Sequence, residues 1–218
     1  MLISVEGNIG SGKSTLIKLF KKFNINNFVV LDEPVDQWLN LKDSKGENIL
    51  GKFYNDKEKY SFPLQIYSFI TKLQLLNNNK NAYTIISERS IMTDKNVFSK
   101  MLFDDGKIEE INYNIFNELI STIDKNLCIP KFIIYVSTTP QKCYERIHKR
   151  NRTEEEKIPL EYLTQCDEYH KKWLDNNEFV IYFDGNVEFE DNYEIFATLL
   201  NKLISAINIE AEILLNKI

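Results

Sequence analysis

The stretch "GNIGSGKST", residues 7–15, lies between the apolar run "MLISVE" and the segment "LIKLFKKF". Its spacing is Gly7, four residues, then Gly12, Lys13 and Ser14. Glycines at this spacing let the backbone curl so that successive N–H groups point at one anion, and the lysine can then reach the β- and γ-phosphates of a nucleotide. The serine hydroxyl is suited to ligate Mg²⁺. The stretch predicts a phosphate-binding loop, and the simpler alternative is a glycine-rich turn.

The segments on either side of this loop predict a strand before it and a helix after it. Leu2, Ile3 and Val5 predict a buried strand, and the apolar residues of 16–23 recur at i, i+3, i+4 and i+7. Strand, loop and helix in this order are the setting that a phosphate-binding loop requires. We expect the whole loop to contribute to phosphate binding: Gly7, Asn8, Ile9, Gly10, Ser11, Gly12, Lys13, Ser14 and Thr15.

The composition is that of an ordinary globular domain and argues against several classes of function. A chain of 218 residues is long enough for one well-buried α/β domain, and we expect a single domain over 1–218. The formal net charge of −5 argues against binding a nucleic-acid polymer by electrostatics. Three cysteines without a C-x-x-C pair favour neither a disulfide framework nor a zinc site. Two histidines leave little for a Ser-His-Asp triad or a histidine-rich metal site.

Hydropathy and the position of the first strand predict the compartment. No apolar run reaches the length of a transmembrane helix. A strand that starts at residue 2 leaves no room for a signal or transit peptide. We therefore expect no membrane association and a cytoplasmic location, with the nucleus as the alternative.

Five short apolar runs, rich in β-branched and aromatic residues, predict strands that are covered on both faces. They are residues 2–6, 28–33, 83–88, 132–137 and 179–184. Near-continuous rather than alternating apolar runs are typical of a parallel sheet flanked by helices. Helical periodicity separates the runs, over 66–76, over 115–123, after Pro140 and from about 193. The pattern predicts an α/β fold, a doubly wound five-stranded parallel sheet with ligands at the carboxyl ends of its strands.

Polar motifs follow the predicted strands at those ends. "DEPVDQW" (32–38) follows the second strand, "ERS" (88–90) the third, and "RIHKRNRTEEE" (146–156) lies on the helix after the fourth. Phosphoryl transfer needs charge neutralisation, positioning and a carboxylate that takes the proton of the attacking hydroxyl. Glu33, which Pro34 follows at a strand end, is a candidate for that carboxylate. The alternative is a solvated glutamate that caps the next helix.

The motifs together resemble one family of enzymes. "GNIGSGKST", "EPVDQW", "ERS" and "RNRTEEEKIPLEYL" resemble, in the same order, the deoxynucleoside kinase family, which includes deoxycytidine kinase, deoxyguanosine kinase and the insect multisubstrate enzyme. The resemblance runs from residue 3 to about residue 190. It implies a P-loop kinase fold with a helical lid over about 146–158. It also implies a deoxynucleoside 5′-kinase of nucleotide salvage that uses ATP and Mg²⁺.

The resemblance assigns the catalytic roles. Glu33 would be the general base on the 5′-hydroxyl, Arg89 would steady the 5′ oxygen and the departing charge, and Lys13 would hold the phosphates. Glu88 would join Ser14 at the Mg²⁺ and its water shell. An arginine is a permanently charged fork that can keep Glu33 ionised and stabilise charge on the oxygens in transfer. A purely structural ion pair between Arg89 and Glu33 is the alternative.

The segment "NILGKFYNDKEKYSFPLQIYSF" (48–69) matches the substrate segment of this family. The resemblance places Tyr54 and Glu155 on the sugar 3′-hydroxyl and Gln65 on the Watson–Crick edge of the base, where an amide can donate and accept side by side. Four apolar side chains would enclose the base and sugar: Trp38, Phe53, Leu64 and Phe98. Phe53 replaces a methionine that is frequent in the family. Plain core packing is the alternative for these four.

Basic residues near 150 predict contacts to the ATP phosphates. Arg146 and Arg150 share a helical face. The resemblance makes these two and Arg152 the lid arginines that close over the phosphates, whereas a solvated run of charges is the alternative. The segment "DGNVEFED" (184–191) resembles the loop that holds adenine, with Phe189 near the base.

Two further positions predict which base is accepted. Lys72 lies seven residues after Gln65, and Asp94 lies five after Arg89. In the resembling family, thymidine-accepting members have small or apolar residues at both places, whereas members for deoxycytidine and deoxypurines have a paired arginine and aspartate. A lysine lacks the planar fork of arginine. We expect deoxyadenosine, deoxycytidine or deoxyguanosine to be preferred over thymidine, unless this pair lies on the surface.

The resemblance also predicts partners. The family is commonly dimeric through helices, and the stripe of 66–76 or of 115–123 could form a homodimer interface or face the core. A feedback deoxynucleoside triphosphate would span the donor and acceptor sites. Two other functions stay open. A nucleoside monophosphate kinase would need cations where this chain has "EPV", and a non-catalytic kinase-like subunit would be free to lose Lys13, Glu33 or Arg89, which are all present.

Overall fold

A five-stranded parallel sheet forms the centre of the computed structural model, which describes residues 1–23, 28–150, 152, 154–175, 177, 179–190 and 192–215. The strands are β1 (Leu2–Glu6), β2 (Phe28–Leu31), β3 (Thr84–Glu88), β4 (Phe132–Ser137) and β5 (Val180–Asp184). Their order in the sheet is β2-β3-β1-β4-β5, and every neighbouring pair is parallel. The predicted sheet is confirmed.

Strand β1 lies in the middle of the sheet, and its register sets which residues meet at the carboxyl edge. Val5 pairs with Glu88 of β3, and Glu6 pairs with Tyr135 of β4. All five residues of β1 are buried. The phosphate loop therefore leaves the sheet directly beside the "ERS" motif.

The helices follow the strands in the alternation that the sequence predicts. They are α1 (Lys13–Phe23), α2 (Val35–Asn40), α3 (Ile49–Asn55), α4 (Lys57–Asn78), α5 (Ile91–Thr93), α6 (Lys100–Asp104), α7 (Glu110–Ser121), α8 (Lys125–Cys128), α9 (Pro140–Arg150), α10 (Leu160–Leu174) and α11 (Tyr193–Leu215). A π-helical turn, Asp94–Ser99, joins α5 to α6. Not one of the helices in the described part of the chain combines the length and the apolarity needed to cross a bilayer.

Each face of the sheet is covered by its own helices, because successive strand residues point to opposite sides. On one side Ile3 packs in a cluster with Phe20 of α1 and Phe196 of α11, whose rings meet edge to face at 5.1 Å between centroids. On the other side Phe69 of α4 and Phe116 of α7 form a similar pair at 6.2 Å. This arrangement confirms the doubly wound architecture.

Several boundaries differ from the sequence prediction, and those of β2 and α4 differ most. Strand β2 ends at Leu31, so that Asp32 and Glu33 lie in the loop that follows it. Helix α4 begins at Lys57, far before the stripe at 66–76, because the Asp56 side chain caps it by accepting from the Lys59 N–H. It ends at Asn78, two residues after the predicted stripe.

Candidate active site

A cavity of about 840 Å³ opens at the carboxyl edge of the sheet, where the sequence places the motifs. One end is lined by the phosphate loop and α9, and the other end by α3, α4 and the π-helical turn. Of the residues predicted for binding or catalysis, Gly7, Asn8, Ser11 and Lys72 do not line it, and the others do. The two predicted substrates would therefore share one continuous space.

The phosphate loop has the backbone that its glycines were expected to permit. Gly10 and Gly12 have φ of +77° and +104°, which side-chain-bearing residues rarely adopt. A Cβ on Gly12 would also approach the Phe189 ring to 3.1 Å. Lys13 Nζ donates to the carbonyl of Asn8 at 2.7 Å, and burial lowers the pKa of Lys13 to about 8, with a smaller contribution from Arg89. The lysine thus lies on the loop that would surround the phosphates.

Glu33 and Arg89 form an ion pair, and both residues line the cavity. Arg89 Nε lies 3.2 Å from Glu33 Oε1 and 3.4 Å from Oε2. Burial alone would raise the pKa of Glu33, but Arg89, followed by Lys72 and Lys13, outweighs it and holds that pKa below its usual value. Glu33 is therefore an ionised carboxylate with three cations around it.

The backbone at Arg89 is unusual. Its φ is +57°, and among the described residues it is the one residue other than glycine with a left-handed backbone. The guanidinium Nη1 donates to the carbonyl of Gly7 at 2.9 Å. The side chain therefore reaches from β3 across the start of the phosphate loop to Glu33.

The two residues predicted at the metal lie together. Ser14 Oγ donates to Glu88 Oε1 at 2.7 Å. Burial, and next the charge of Glu33, raises the pKa of Glu88. A hydroxyl and a carboxylate oxygen are the hard ligands that Mg²⁺ prefers, so this pair fits the ion.

The side chains predicted to contact the nucleoside enclose the far end of the cavity. Trp38, Phe53 and Leu64 are buried in one cluster, and Trp38 Nε1 donates to Thr71 Oγ1 at 3.0 Å. The Phe98 ring lies 4.9 Å from the Arg89 guanidinium carbon. Trp38, Phe53 and Leu64 pack in one cluster and Phe98 packs against another, and all four line the cavity, so that core packing and a lining role apply together.

Gln65 is oriented by a neighbour that the sequence did not reveal. Ser99, the last residue of the π-helical turn, donates from Oγ to Gln65 Oε1 at 3.1 Å. Among the described residues the Nε2 of Gln65 has no hydrogen-bond partner, so it is the group of that amide that is open to a base. No local pattern marks Ser99, because it lies 34 residues away in sequence.

Lys72 and Asp94 form a buried pair rather than a surface one. Lys72 Nζ lies 2.7 Å from Asp94 Oδ1, and Ser68 Oγ donates to Asp94 Oδ2 at 3.1 Å. Asp94 lines the cavity, whereas Lys72 lies beneath it, 3.6 Å from Glu33 Oε1. Burial raises the pKa of Asp94 against the opposing charge of Lys72.

The three predicted lid arginines have different partners. Arg146 donates to the carbonyls of Ser11 at 3.2 Å and of Gly185 at 2.7 Å. Arg152 pairs with Glu155 at 2.7 Å, and Arg150 also pairs with Glu155. The lid segment begins on α9 and continues as turns through the described residues 154–157.

Tyr54 and Glu155, the pair predicted for the sugar 3′-hydroxyl, both line the cavity. Burial, and next the charge of Glu155, raises the pKa of the Tyr54 phenol well above its usual value. Tyr54 is therefore a neutral hydroxyl beside a carboxylate. The neighbouring lid residue Glu154 accepts from Asn48 Nδ2 at 2.8 Å, which ties the lid to the start of α3.

Several lining residues escaped the sequence prediction. Lys18, Lys142 and Lys149 add cations at the phosphate end, and Tyr162 closes the wall near Tyr54. Lys142 and Lys149 lie seven residues apart on α9, on the face that carries Arg146. That helical spacing was the signal that could have found them.

Comparison with known proteins identifies the family. The model of the deoxynucleoside kinase family matches residues 3–208. A probable deoxycytidine kinase of Fowlpox virus (strain NVSL) is 34% identical over 215 residues, which cover 94% of this chain and 88% of the relative. Thymidine kinase 2, mitochondrial, of Homo sapiens is 37% identical over 174 residues, which cover 79% of this chain and 64% of the relative. Deoxycytidine kinase of Homo sapiens is 29% identical over 239 residues, which cover 94% of this chain and 91% of the relative.

The chain belongs to the deoxynucleoside kinase family. The predicted family, fold and enzyme class, a kinase that phosphorylates deoxynucleosides, are thereby confirmed. The names of the relatives include both deoxycytidine and thymidine kinases. The choice of base must therefore be argued from the pocket of this chain.

Proposed function

We propose that this enzyme transfers the γ-phosphoryl group of ATP, with Mg²⁺, to the 5′-hydroxyl of deoxyadenosine, deoxycytidine or deoxyguanosine in preference to thymidine, within nucleotide salvage. The observation that carries the proposal is the position of Glu33. It contacts Arg89 at 3.2 Å, which donates to Gly7 of the phosphate loop, and Lys72 at 3.6 Å, which pairs with Asp94 at the nucleoside end. A carboxylate there lies between the two predicted substrates.

The residues divide the chemistry in the way that phosphoryl transfer requires. Glu33, kept ionised by its cations, accepts the proton of the 5′-hydroxyl. Arg89 and Lys13 neutralise charge on the oxygens in transfer. Ser14 and Glu88 would hold Mg²⁺, which offsets the charge of the ATP phosphates when it is bound.

The base preference rests on the buried carboxylate of Asp94. Asp94 lines the nucleoside end with Gln65, so a base that brings an amino group can donate to it. Thymine has a carbonyl and a methyl group at that edge. A buried carboxylate facing that carbonyl would set two acceptors against each other with no proton between them, which disfavours thymidine by about 1–3 kcal/mol.

A phosphotransfer assay tests the proposed function. ATP and Mg²⁺ would be supplied with each deoxynucleoside and, separately, with the matching 5′-monophosphate, and the products would be identified by mass. We expect the nucleosides to be converted to 5′-monophosphates. Faster conversion of the monophosphates would support a nucleoside monophosphate kinase instead, and the absence of turnover with all of them would support a non-catalytic subunit.

Feedback inhibition is a further part of the proposal. A deoxynucleoside triphosphate could place its base at the nucleoside end and its phosphates at the loop, because one cavity contains both ends. We expect one of the four triphosphates to compete with both ATP and the nucleoside. Steady-state kinetics at millimolar concentrations would contradict this part if none of the four inhibits.

We also propose a homodimer. The structure divides each apolar stripe: Phe69 and Phe116 face the core, whereas Ile70, Ile115 and Leu119 are exposed on α4 and α7. Exposed apolar groups on adjacent helices are suited to a self-association surface. Sedimentation velocity should show a dimer that Ile115→Lys dissociates, and a wild-type monomer would contradict it. The cytoplasmic location stays a prediction.

A further inference from the structure

Glu6, the last residue of β1, is a carboxylate that the mechanism above does not use. Its side chain is fully buried, with 0% exposure, and it does not line the cavity. It immediately precedes the phosphate loop and lies in the strand next to β3. A fully buried carboxylate is costly unless donors satisfy it.

Donors from the segment after the "ERS" motif satisfy this carboxylate. Glu6 Oε1 accepts from the Ser90 N–H at 3.0 Å and from Ser90 Oγ at 2.7 Å. Glu6 Oε2 accepts from Thr93 Oγ1. An ionised carboxylate is an acceptor at both oxygens, so it can take these bonds without presenting a donor. Hydrogen bonds to a charged acceptor are also stronger than neutral ones.

Arg89 lies between the end of β3 and the turn that Glu6 binds, and its backbone is in the left-handed region at φ +57°. Such a conformation costs about 1–3 kcal/mol in a non-glycine residue and persists only where the surroundings hold it. The Arg89 N–H donates to the carbonyl of Val5 at 3.0 Å, and Ser87 Oγ donates to the Arg89 carbonyl at 2.8 Å. Glu6 supplies the third restraint, on the residue that follows.

We infer that Glu6 is a positioning residue, which holds the turn at Ser90 and Thr93 so that the guanidinium of Arg89 points at Glu33. The inference rests on the proposed function, because it takes Arg89 as the group that steadies the transferring charge. The claim that Glu6 holds the turn does not depend on that role of Arg89. Without the carboxylate, the turn loses this third restraint, the Arg89 backbone can relax despite the bonds to Val5 and Ser87, and Nε moves away from Glu33.

The test begins with a signal from Arg89 itself. The chain contains four arginines, Arg89, Arg146, Arg150 and Arg152, so the ¹⁵N–H signals of the side-chain Nε are few. The signal lost in Arg89→Ala identifies Arg89. We expect Glu6→Met, which keeps the length of the side chain and removes the acceptors, to shift or broaden that signal. Ser4→Ala is the control, because Ser4 is buried in the same strand and its Oγ has no partner.

Kinetics give the second readout. Because a misplacement of about 1 Å in a catalytic group can cost about 100-fold in rate, we expect kcat of Glu6→Met to fall about 10-fold to 100-fold with the KM for nucleoside little changed. Ser4→Ala should keep the wild-type kcat. An unchanged Arg89 signal in Glu6→Met, or a kcat equal to that of Ser4→Ala, would overturn the inference.

Two possible results require a further comparison. If Glu6→Met does not fold, Thr93→Val decides, because it removes the donor to Glu6 Oε2 and the 3.3 Å bond from the Ser90 N–H to Thr93 Oγ1 but leaves both Ser90 bonds to Glu6 Oε1. It should shift the Arg89 signal and lower kcat by a smaller factor, and an unchanged signal overturns the inference. If Arg89→Ala keeps the wild-type kcat, the proposed role of Arg89 is wrong. The Arg89 signal in Glu6→Met then still decides whether Glu6 holds the turn.

Discussion

The two ends of the cavity pair their cations with carboxylates in different ways. At the nucleoside end, Lys72 and Asp94 have side-chain exposures of 5% and 3%. At the phosphate end, Arg150 and Arg152 are 38% and 32% exposed where they pair with the buried Glu155. The first pair is enclosed by α4 and the π-helical turn, whereas the second joins the end of α9 to the turn that holds Glu155.

The difference indicates which end is preorganised. An enclosed pair holds its geometry, because breaking it leaves a charge without a partner in the interior. A partly exposed pair is worth about 1 kcal/mol or less, so its arginines can change partners when phosphates arrive. We infer that the nucleoside end reads the base with a fixed set of charges and that the lid arginines exchange Glu155 for phosphate.

The largest expected effect is on stability at the enclosed pair. Lys72→Met leaves Asp94 as a buried carboxylate without its cation, and we expect a loss of about 3–5 kcal/mol in the free energy of unfolding. Lys107→Met is the matched control, because Lys107 pairs with Glu58 at the surface, and it should cost about 1 kcal/mol or less. Urea unfolding measures both, and equal losses would contradict the enclosed pair.

Next in size is the loss of the proposed base. Glu33→Gln keeps the shape and removes proton acceptance, so we expect kcat to fall by about 100-fold or more while nucleoside binding persists. Steady-state kinetics and equilibrium binding of the nucleoside check the two halves. Near-normal turnover would remove Glu33 from the mechanism.

A smaller effect is expected when the enclosed pair is removed as a whole. Asp94→Ala together with Lys72→Met deletes both charges, so stability should recover relative to Lys72→Met alone. The preference should move toward thymidine by about 1–3 kcal/mol in relative kcat/KM. An unchanged ratio between thymidine and deoxycytidine would show that this pair does not read the base.

The smallest effect is expected at the lid. Arg152→Gln removes a partly exposed partner of Glu155, so the free energy of unfolding should change by about 1 kcal/mol or less. The KM for ATP should rise about 10-fold, since a charge-assisted hydrogen bond contributes about 1.5 kcal/mol. Thermal melts and ATP kinetics separate the two, and a large loss of stability would contradict the proposed exchange.

How much could be predicted from the sequence depended on whether the signal was local. The sheet and the phosphate loop followed from apolar runs and motif spacing, whereas the meeting of Glu33 with Arg89 followed from the family resemblance of the "EPV" and "ERS" motifs. The start of α4 did not, because its first turns are polar and depend on the Asp56 cap.

Long-range side-chain contacts were also missed. Glu6 accepts from Ser90, which lies 84 residues away in sequence. The left-handed backbone at position 89 could not be predicted, because the residue there is an arginine and not a glycine. The enclosure of Lys72 and Asp94 depends on how α4 packs against the π-helical turn. The spacing of the two residues in sequence could not show whether the pair lies in the pocket or on the surface.

The most direct test of the central claim, a kinase whose enclosed Asp94 favours an amino-bearing base, is a competition among deoxyadenosine, deoxycytidine, deoxyguanosine and thymidine. The four would be present at equal concentration with limiting ATP and Mg²⁺, and the 5′-monophosphates would be quantified at early times. We predict that thymidine gives the least product and that one of the other three gives the most. Thymidine monophosphate as the main product would contradict the account.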